Sequence, residues 1–372
     1  MSGLFLHHGY LKLPITKGAD LQRLDSYFTV YPGASPVDRT GTVIFPTQMQ
    51  SIFPLPPMRP LRQSYEELCH QRAIDLLALA AKLNSKIYVF WSGGVDSTLV
   101  LTLLLTHCKD RDRITILLDE SSILEYPLFF CQHINGKLEH RSTSLFPDLF
   151  VAPNMIVNGE HNDQLFGSDI LGDAIALFGI DAVVGPLRRE LITSLFEYRL
   201  CGKRDDAMFL SGVLGALKET APIPLRTNFD LLWWINFALK WQNVHMRSLI
   251  FSRKPLSREY VKTYYHPFFC TAEFQLWSMN NLDKRIKVDK RMINHWRSYK
   301  WPAKDLIYEF TADSDYRDNK TKYGSLQSVL RKLPFHNFLD ENYGFRRQMD
   351  WYRPQNSFHV TKHMRSLESI SA

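Results

Sequence analysis

Ser92, Gly93, Gly94, Val95, Asp96 and Ser97 put two glycines, two hydroxyls and a carboxylate into one turn of chain. Glycines let a backbone bend tightly and come close to a ligand. An apolar run over residues 86–91, KIYVFW, precedes the turn, and a helical run, TLVLTLLLTH, follows it. Open N–H groups at the start of a helix, aligned with its dipole, make an anion site. Ser92, Ser97 and Thr98 add hydroxyl donors. Asp96 suits such a site only if a cation is present, and Mg²⁺ is commonly held by one or two carboxylates together with phosphate oxygens. The loop is neither GxxxxGK[ST] nor GxGxxG. A second segment, NGEHNDQLFGSD over residues 158–169, follows directly on the apolar run that begins at 155–157.

The elements that must position these residues alternate. Ser64 and Glu67 form a capping box in front of a helical apolar pattern, which Asn84 and Ser85 end. Residues 86–91 read as a buried strand, 114–118 as a second and 155–157 as the start of another. The first loop leaves one strand and the second segment leaves another. Residues 124–133 read as helix. After about residue 185 the strand signal fades, and 187–199, 231–248, 272–278 and 286–298 read as helices. The predicted class is α/β: a parallel twisted sheet with flanking helices, followed by a helical C-terminal half. Residues 1–60 are rich in proline and read as an irregular arm packed on the main domain, with a short strand-like piece near 42–45. Trp233, Trp234, Trp241, Tyr264, Tyr265 and Trp277 stand at helical spacing and read as core before pocket.

Ser92–Ser97 resembles the SGGxDS pyrophosphate loop of the N-type ATP pyrophosphatases, and the match covers all six positions in a strand–loop–helix context. VNGEHNDQLFGSD resembles the SGEGSDELFGGY segment of asparagine synthetases at Gly159, Glu160, Asp163, Leu165, Phe166 and Gly167. More weakly, PFFCTAEFQLWSM at 267–279 and DLIYEFTADSDYRDNKTKYGS at 305–325 resemble later segments of the same family, in the same order. The resemblance spans roughly residues 64–325. It implies an adenine nucleotide alpha hydrolase-like (HUP) fold, with ATP and Mg²⁺ as cofactors. Ser92, Gly93, Gly94, Val95, Asp96, Ser97 and Gly159 would border the nucleotide, and Leu117, Leu118 and Asp119 the adenine. Asp96 and Asp163 would share Mg²⁺. Glu160 would be the general base for an incoming amine, and Lys322, with Lys320 as the other candidate, would neutralise pyrophosphate. The implied divisions are an irregular arm over 1–60, an asparagine synthetase-like ATP pyrophosphatase domain over 61–330 and a basic extension over 331–372.

The resemblance implies an AMP-forming ligase that adenylates a carboxylate, releases pyrophosphate and makes an amide with ammonia or an amine. Position 2 is Ser2, not the family's catalytic cysteine, and about 60 residues precede the synthetase-like part. Ammonia from an internal glutaminase is therefore not expected; free ammonia, an amine substrate, an intramolecular amine or a separate amine-supplying partner are the candidate sources. His161, Asn162, Gln164 and Ser168 depart from the family segment, which puts aspartate as substrate in doubt. His161 either meets substrate or points to solvent.

The chain of 372 residues carries a formal charge of +7, and residues 281–372 hold 18 basic against 11 acidic side chains. Residues 1–280 balance. That asymmetry motivates an alternative in which the same chemistry modifies a nucleobase, tRNA or DNA. The five scattered cysteines contain no CxxC pair and read as buried thiols rather than a disulfide framework or zinc site. No signal-like N-terminus or membrane-length apolar run is present in the sequence, so a cytoplasmic protein without a membrane partner is expected.

Overall fold

The computed structural model describes residues 30–31, 39–40, 51, 53–167, 170–253, 256–288 and 298–320. The predicted capping box is present. Ser64 Oγ accepts from the Glu67 N–H at 3.0 Å, and the Glu67 carboxylate accepts from the Ser64 N–H at 2.7 Å. These two bonds close open donors at the start of α1 (Tyr65–Lys82). The chain then turns at Asn84, which takes a left-handed φ of 48°.

Three predicted strands are present as β1 (Ile87–Phe90), β2 (Ile114–Leu118) and β4 (Met155–Asn158). Every residue of β2 and β4 is buried, as a strand covered on both faces requires. Two further strands were not predicted: β3 (Glu139–Ser142) and β5 (Tyr265–Pro267). They form the two edges of an all-parallel sheet of order β3-β2-β1-β4-β5. An edge strand needs no continuous apolar run, so EHRS gives no burial signal. Proline is tolerated at an edge, where β5 ends on Pro267.

The chain builds outward from β1 through β2 to β3, then crosses back to lay β4 on the other side of β1. The connections that leave β1 and β4 thus part in opposite directions. In open parallel sheets the crevice at such a switch point, beyond the carboxyl ends of the strands, is where ligands bind. Helix α2 (Val95–His107) follows β1 and is buried from Ser97 to Leu105. A helix apolar all round belongs in the interior. Helix α3 (Glu120–Glu125) follows β2, and the short α4 (Asn162–Phe166) follows β4.

The helical half covers this frame. The predicted helix 187–199 is α5 (Arg189–Arg199). The predicted helix 231–248 is two, α6 (Asn228–Leu239) and α7 (Trp241–Met246), which meet at Lys240. All twelve residues of α6 are buried. The predicted helix 272–278 is α8 (Ala272–Asn280). Trp233, Trp234, Trp241 and Trp277 are each at most 1% exposed, which is the core placement. The predicted helix 286–298 is corrected at its described ends. Ile286 bridges Tyr299 in antiparallel sense, and the Lys287 N–H donates to Ser298 O at 3.0 Å. Residues 289–297 and the strand-like piece at 42–45 lie outside the described residues. Helices α9 (Trp301–Thr311) and α10 (Ser314–Asn319) follow, and α9 packs on α2.

Of the described residues of the N-terminal arm, Val30, Tyr31 and Arg39 are buried, whereas 57–60 are exposed. Val30 and Tyr31 sit in the core. Arg39 Nε donates to Phe53 O at 2.6 Å and Nη1 to Phe237 O at 3.2 Å, with the guanidinium 4.7 Å above the Trp241 ring. The thiol expectation needs correcting. Only Cys69 is buried, while Cys131 and Cys201 are exposed; Cys201 lies in a turn with φ 54°. Among the described residues no helix is long and apolar enough to cross a membrane.

Candidate active site

The loop after β1 is folded by its own hydroxyls. Ser97 Oγ accepts from the Ser92 N–H at 3.0 Å, lies 3.0 Å from Ser92 Oγ, and donates to Gly94 O at 3.2 Å. Gly93 has a φ of +73°, and a Cβ there would come 2.4 Å from Ser122 O. Only glycine fits this turn. Gly94 caps α2 without a side-chain hydrogen bond. The first N–H groups of α2 are therefore left without a side-chain cap, which is the condition for an anion site at a helix N-terminus.

The loop after β4 meets this turn through Gly159. A Cβ on Gly159 would lie 2.7 Å from the Asp96 carbonyl carbon and 2.8 Å from the Ser97 nitrogen. This close approach lets Asn162 Nδ2 donate to Asp96 Oδ1 at 2.7 Å, while Tyr65 Oη donates to Asn162 Oδ1 at 2.7 Å. Asp163 accepts from Tyr299 Oη. Behind it, α6 and α8 hold α4 in place. Trp233 Nε1 donates to Leu165 O at 3.2 Å, and Ser278 Oγ donates to the same carbonyl at 2.6 Å.

The predicted metal carboxylates, Asp96 and Asp163, converge on one cation. That cation is Lys300, which sequence reasoning missed. Its Nζ lies 2.5 Å from both Asp96 oxygens and 2.6 Å from Asp163 Oδ1. The Lys300 side chain is 3% exposed, whereas Asp96 keeps 23% and Asp163 46%. Burial raises the Asp96 pKa above the usual carboxylate value, against the pull of Lys300. Burial works to lower the Lys300 value, and Asp163 and Asp96 outweigh it, so the ammonium is held above its usual range. Two carboxylates sharing a cation suit Mg²⁺ completed by phosphate oxygens. Among the described residues no group of three His, Cys, Asp or Glu could hold a metal.

Lys304 was also missed. It is 2% exposed, and burial together with the charges of Lys300 and Lys320 pulls its pKa down to about 7. Lys304 stands in the first turn of α9, while Lys300 precedes the helix with a left-handed backbone, so helical spacing gives no signal for the pair. Lys320 is brought to the site. It pairs with Glu125, whose Cβ would be 2.7 Å from a Cβ on Gly93. With its side chain 4% exposed, Lys320 is not a surface lysine. Tyr316 Oη donates to Gly93 O at 2.9 Å, and its ring stacks on Tyr126 at 3.7 Å. Lys322, Ser168 and Asp169 lie outside the described residues.

Glu160 is 4% exposed and bound by both arms of Arg247, with Nε donating to Oε1 at 2.8 Å and Nη2 to Oε2. Burial raises its pKa above the usual carboxylate value despite the guanidinium. Arg247 was not singled out in the sequence, since nothing local links it to a residue 87 positions away. His161 does not point to solvent. It is 1% exposed with φ +79°, its ring centroid 4.3 Å from Trp241 and 5.2 Å from His245. Leu118 is fully buried at the end of β2, and Asp119 caps α3 through the Ser122 N–H at 3.1 Å. Both stand at the carboxyl edge of the sheet, on the side of the two loops.

Compared with known families, curated proteins and solved structures, the chain matches none.

Proposed function

We propose that the chain is an ATP-dependent, AMP-forming ligase of the asparagine synthetase type, built on a HUP-like sheet. One observation carries the reading: the loops after β1 and β4 meet at the sheet's switch point, and Asp96 and Asp163 converge on a single cation position. A helix N-terminus, two carboxylates and three buried lysines are what a bound nucleotide triphosphate with a divalent metal calls for.

In this reading the triphosphate lies on the N–H groups of α2. Mg²⁺, when bound by Asp96 and Asp163, supplies neutralisation of phosphate charge. A substrate carboxylate oxygen attacks the α-phosphorus, and the bond to the bridging oxygen of the β-phosphate breaks. Pyrophosphate leaves with its charge offset by Lys300, Lys304 and Lys320. Ammonia or an amine then attacks the acyl carbon, the bond to AMP breaks, and the surplus proton of the nitrogen passes to a base. Glu160 is the candidate, because burial raises its affinity for a proton and Arg247 fixes its orientation.

The test is incubation with ATP, Mg²⁺ and pools of carboxylates and amines while pyrophosphate is followed. Release that depends on one carboxylate, and disappears in Asp96→Asn, supports the reading; no pool eliciting release counts against it. The charge confined to residues 281–372 favours a second reading, in which the adenylated group is on a nucleobase, tRNA or DNA. Binding of tRNA that weakens steeply with salt distinguishes it.

A further inference from the structure

Lys300 stands where that reading puts a divalent cation. Its backbone is left-handed, with φ 50°, a conformation that non-glycine residues adopt at a cost and that gathers at functional sites. Its ammonium touches three carboxylate oxygens at 2.5, 2.5 and 2.6 Å. Both carboxylates are also held from elsewhere, Asp96 by Asn162 and Asp163 by Tyr299. The carboxylate pair is thus preformed, and a side chain already occupies the cation position.

We propose that Lys300 is an exchangeable counter-ion and phosphate ligand: it neutralises Asp96 and Asp163 before nucleotide binds, yields them to Mg²⁺ arriving with ATP, and carries its ammonium to the phosphate oxygens. This rests on the nucleotide reading above. Mg²⁺ alone would have to expel a buried ammonium from its two partners and leave it without an anion, which is costly. ATP removes that obstacle, because Asp96 lies in the first turn of α2 and phosphates bound at that N-terminus lie within reach of the displaced lysine. Metal and nucleotide therefore bind with positive coupling, and the coupling is reciprocal.

The test is Mn²⁺ binding to the full chain, read by electron paramagnetic resonance with and without α,β-methylene-ATP. The wild type should bind Mn²⁺ at least tenfold more tightly with the analogue than without it. Lys300→Met should bind Mn²⁺ alone at least tenfold more tightly than the wild type does, and should bind the analogue more weakly. Damage to the fold would not produce that gain. The inference is overturned if Lys300→Met takes up Mn²⁺ alone no better than the wild type. Should the variant not fold, the wild type decides: equal Mn²⁺ affinity with and without the analogue overturns it. Failure of the wild type to bind the analogue at all would remove the nucleotide reading and this inference together. Analogue binding without a gain in Lys300→Met removes the inference alone.

Discussion

Gly159 is where the two candidate loops touch, and its missing side chain is what lets them. Gly159→Ala puts a methyl group 2.7–2.9 Å from the backbone of Asp96 and Ser97. Neither backbone can move without shifting the start of α2. Overpacking of this kind costs about 1–3 kcal/mol. We expect a lower melting temperature and, in a pyrophosphate-release assay, a loss of roughly 100-fold, because small misplacements of reacting groups are that costly. Arg247→Ala leaves the Glu160 carboxylate buried without its guanidinium. Breaking a buried pair this way costs about 3–5 kcal/mol, to be read by chemical denaturation, and Glu160→Gln combined with Arg247→Met should recover part of it. At this scale the sequence was half legible. Asp96, Glu160 and Asp163 stand in compact local segments, and the resemblance of those segments to a known family is what singles them out. Lys300 and Arg247 become meaningful only through partners 204 and 87 residues away, a relation that no local spacing encodes. The burial of His161 was equally hidden, since it depends on α7 supplying Trp241 and His245.

The elements that carry the site differ in how firmly they hold it. Strands β1, β2 and β4 were legible because burial on both faces writes a continuous apolar run. Strands β3 and β5 were not, because edges do not require one. Helix α10 reaches the first loop through Tyr316, whose hydroxyl donates to Gly93 O at 2.9 Å. Tyr316→Phe removes that bond while keeping the ring stacked on Tyr126. A hydrogen bond of this type contributes about 1 kcal/mol. We expect the KM for ATP to rise about threefold to tenfold with kcat less affected, measured by steady-state kinetics on the variant. A change in kcat alone would place α10 outside nucleotide binding.

For the whole molecule, histidines enclosed by the fold make stability depend on pH: burial lowers the fully buried His161 and His245 and the partly buried His266. Burial, followed by the Arg72 charge, lowers His266 to about 4, and burial, followed by the His266 charge, lowers His245 to about 3. Above the unfolded value near 6.5 neither state is protonated at these sites, so they carry no penalty. As pH falls below about 6.5 the unfolded chain takes up protons and the folded chain does not. Stability is therefore lost progressively from about 6.5 down to the folded values, by up to about 1.4 kcal/mol per unit for each histidine. Denaturant melts between pH 7.5 and 4.5 should show this slope, and His266→Asn should make it shallower. The most direct test of the central claim is the fate of ATP's phosphates. With Mg²⁺ and a carboxylate that supports turnover, phosphorus NMR of the products should show AMP and pyrophosphate in equal amounts, with none formed by Asp96→Asn. ADP and inorganic phosphate would contradict it.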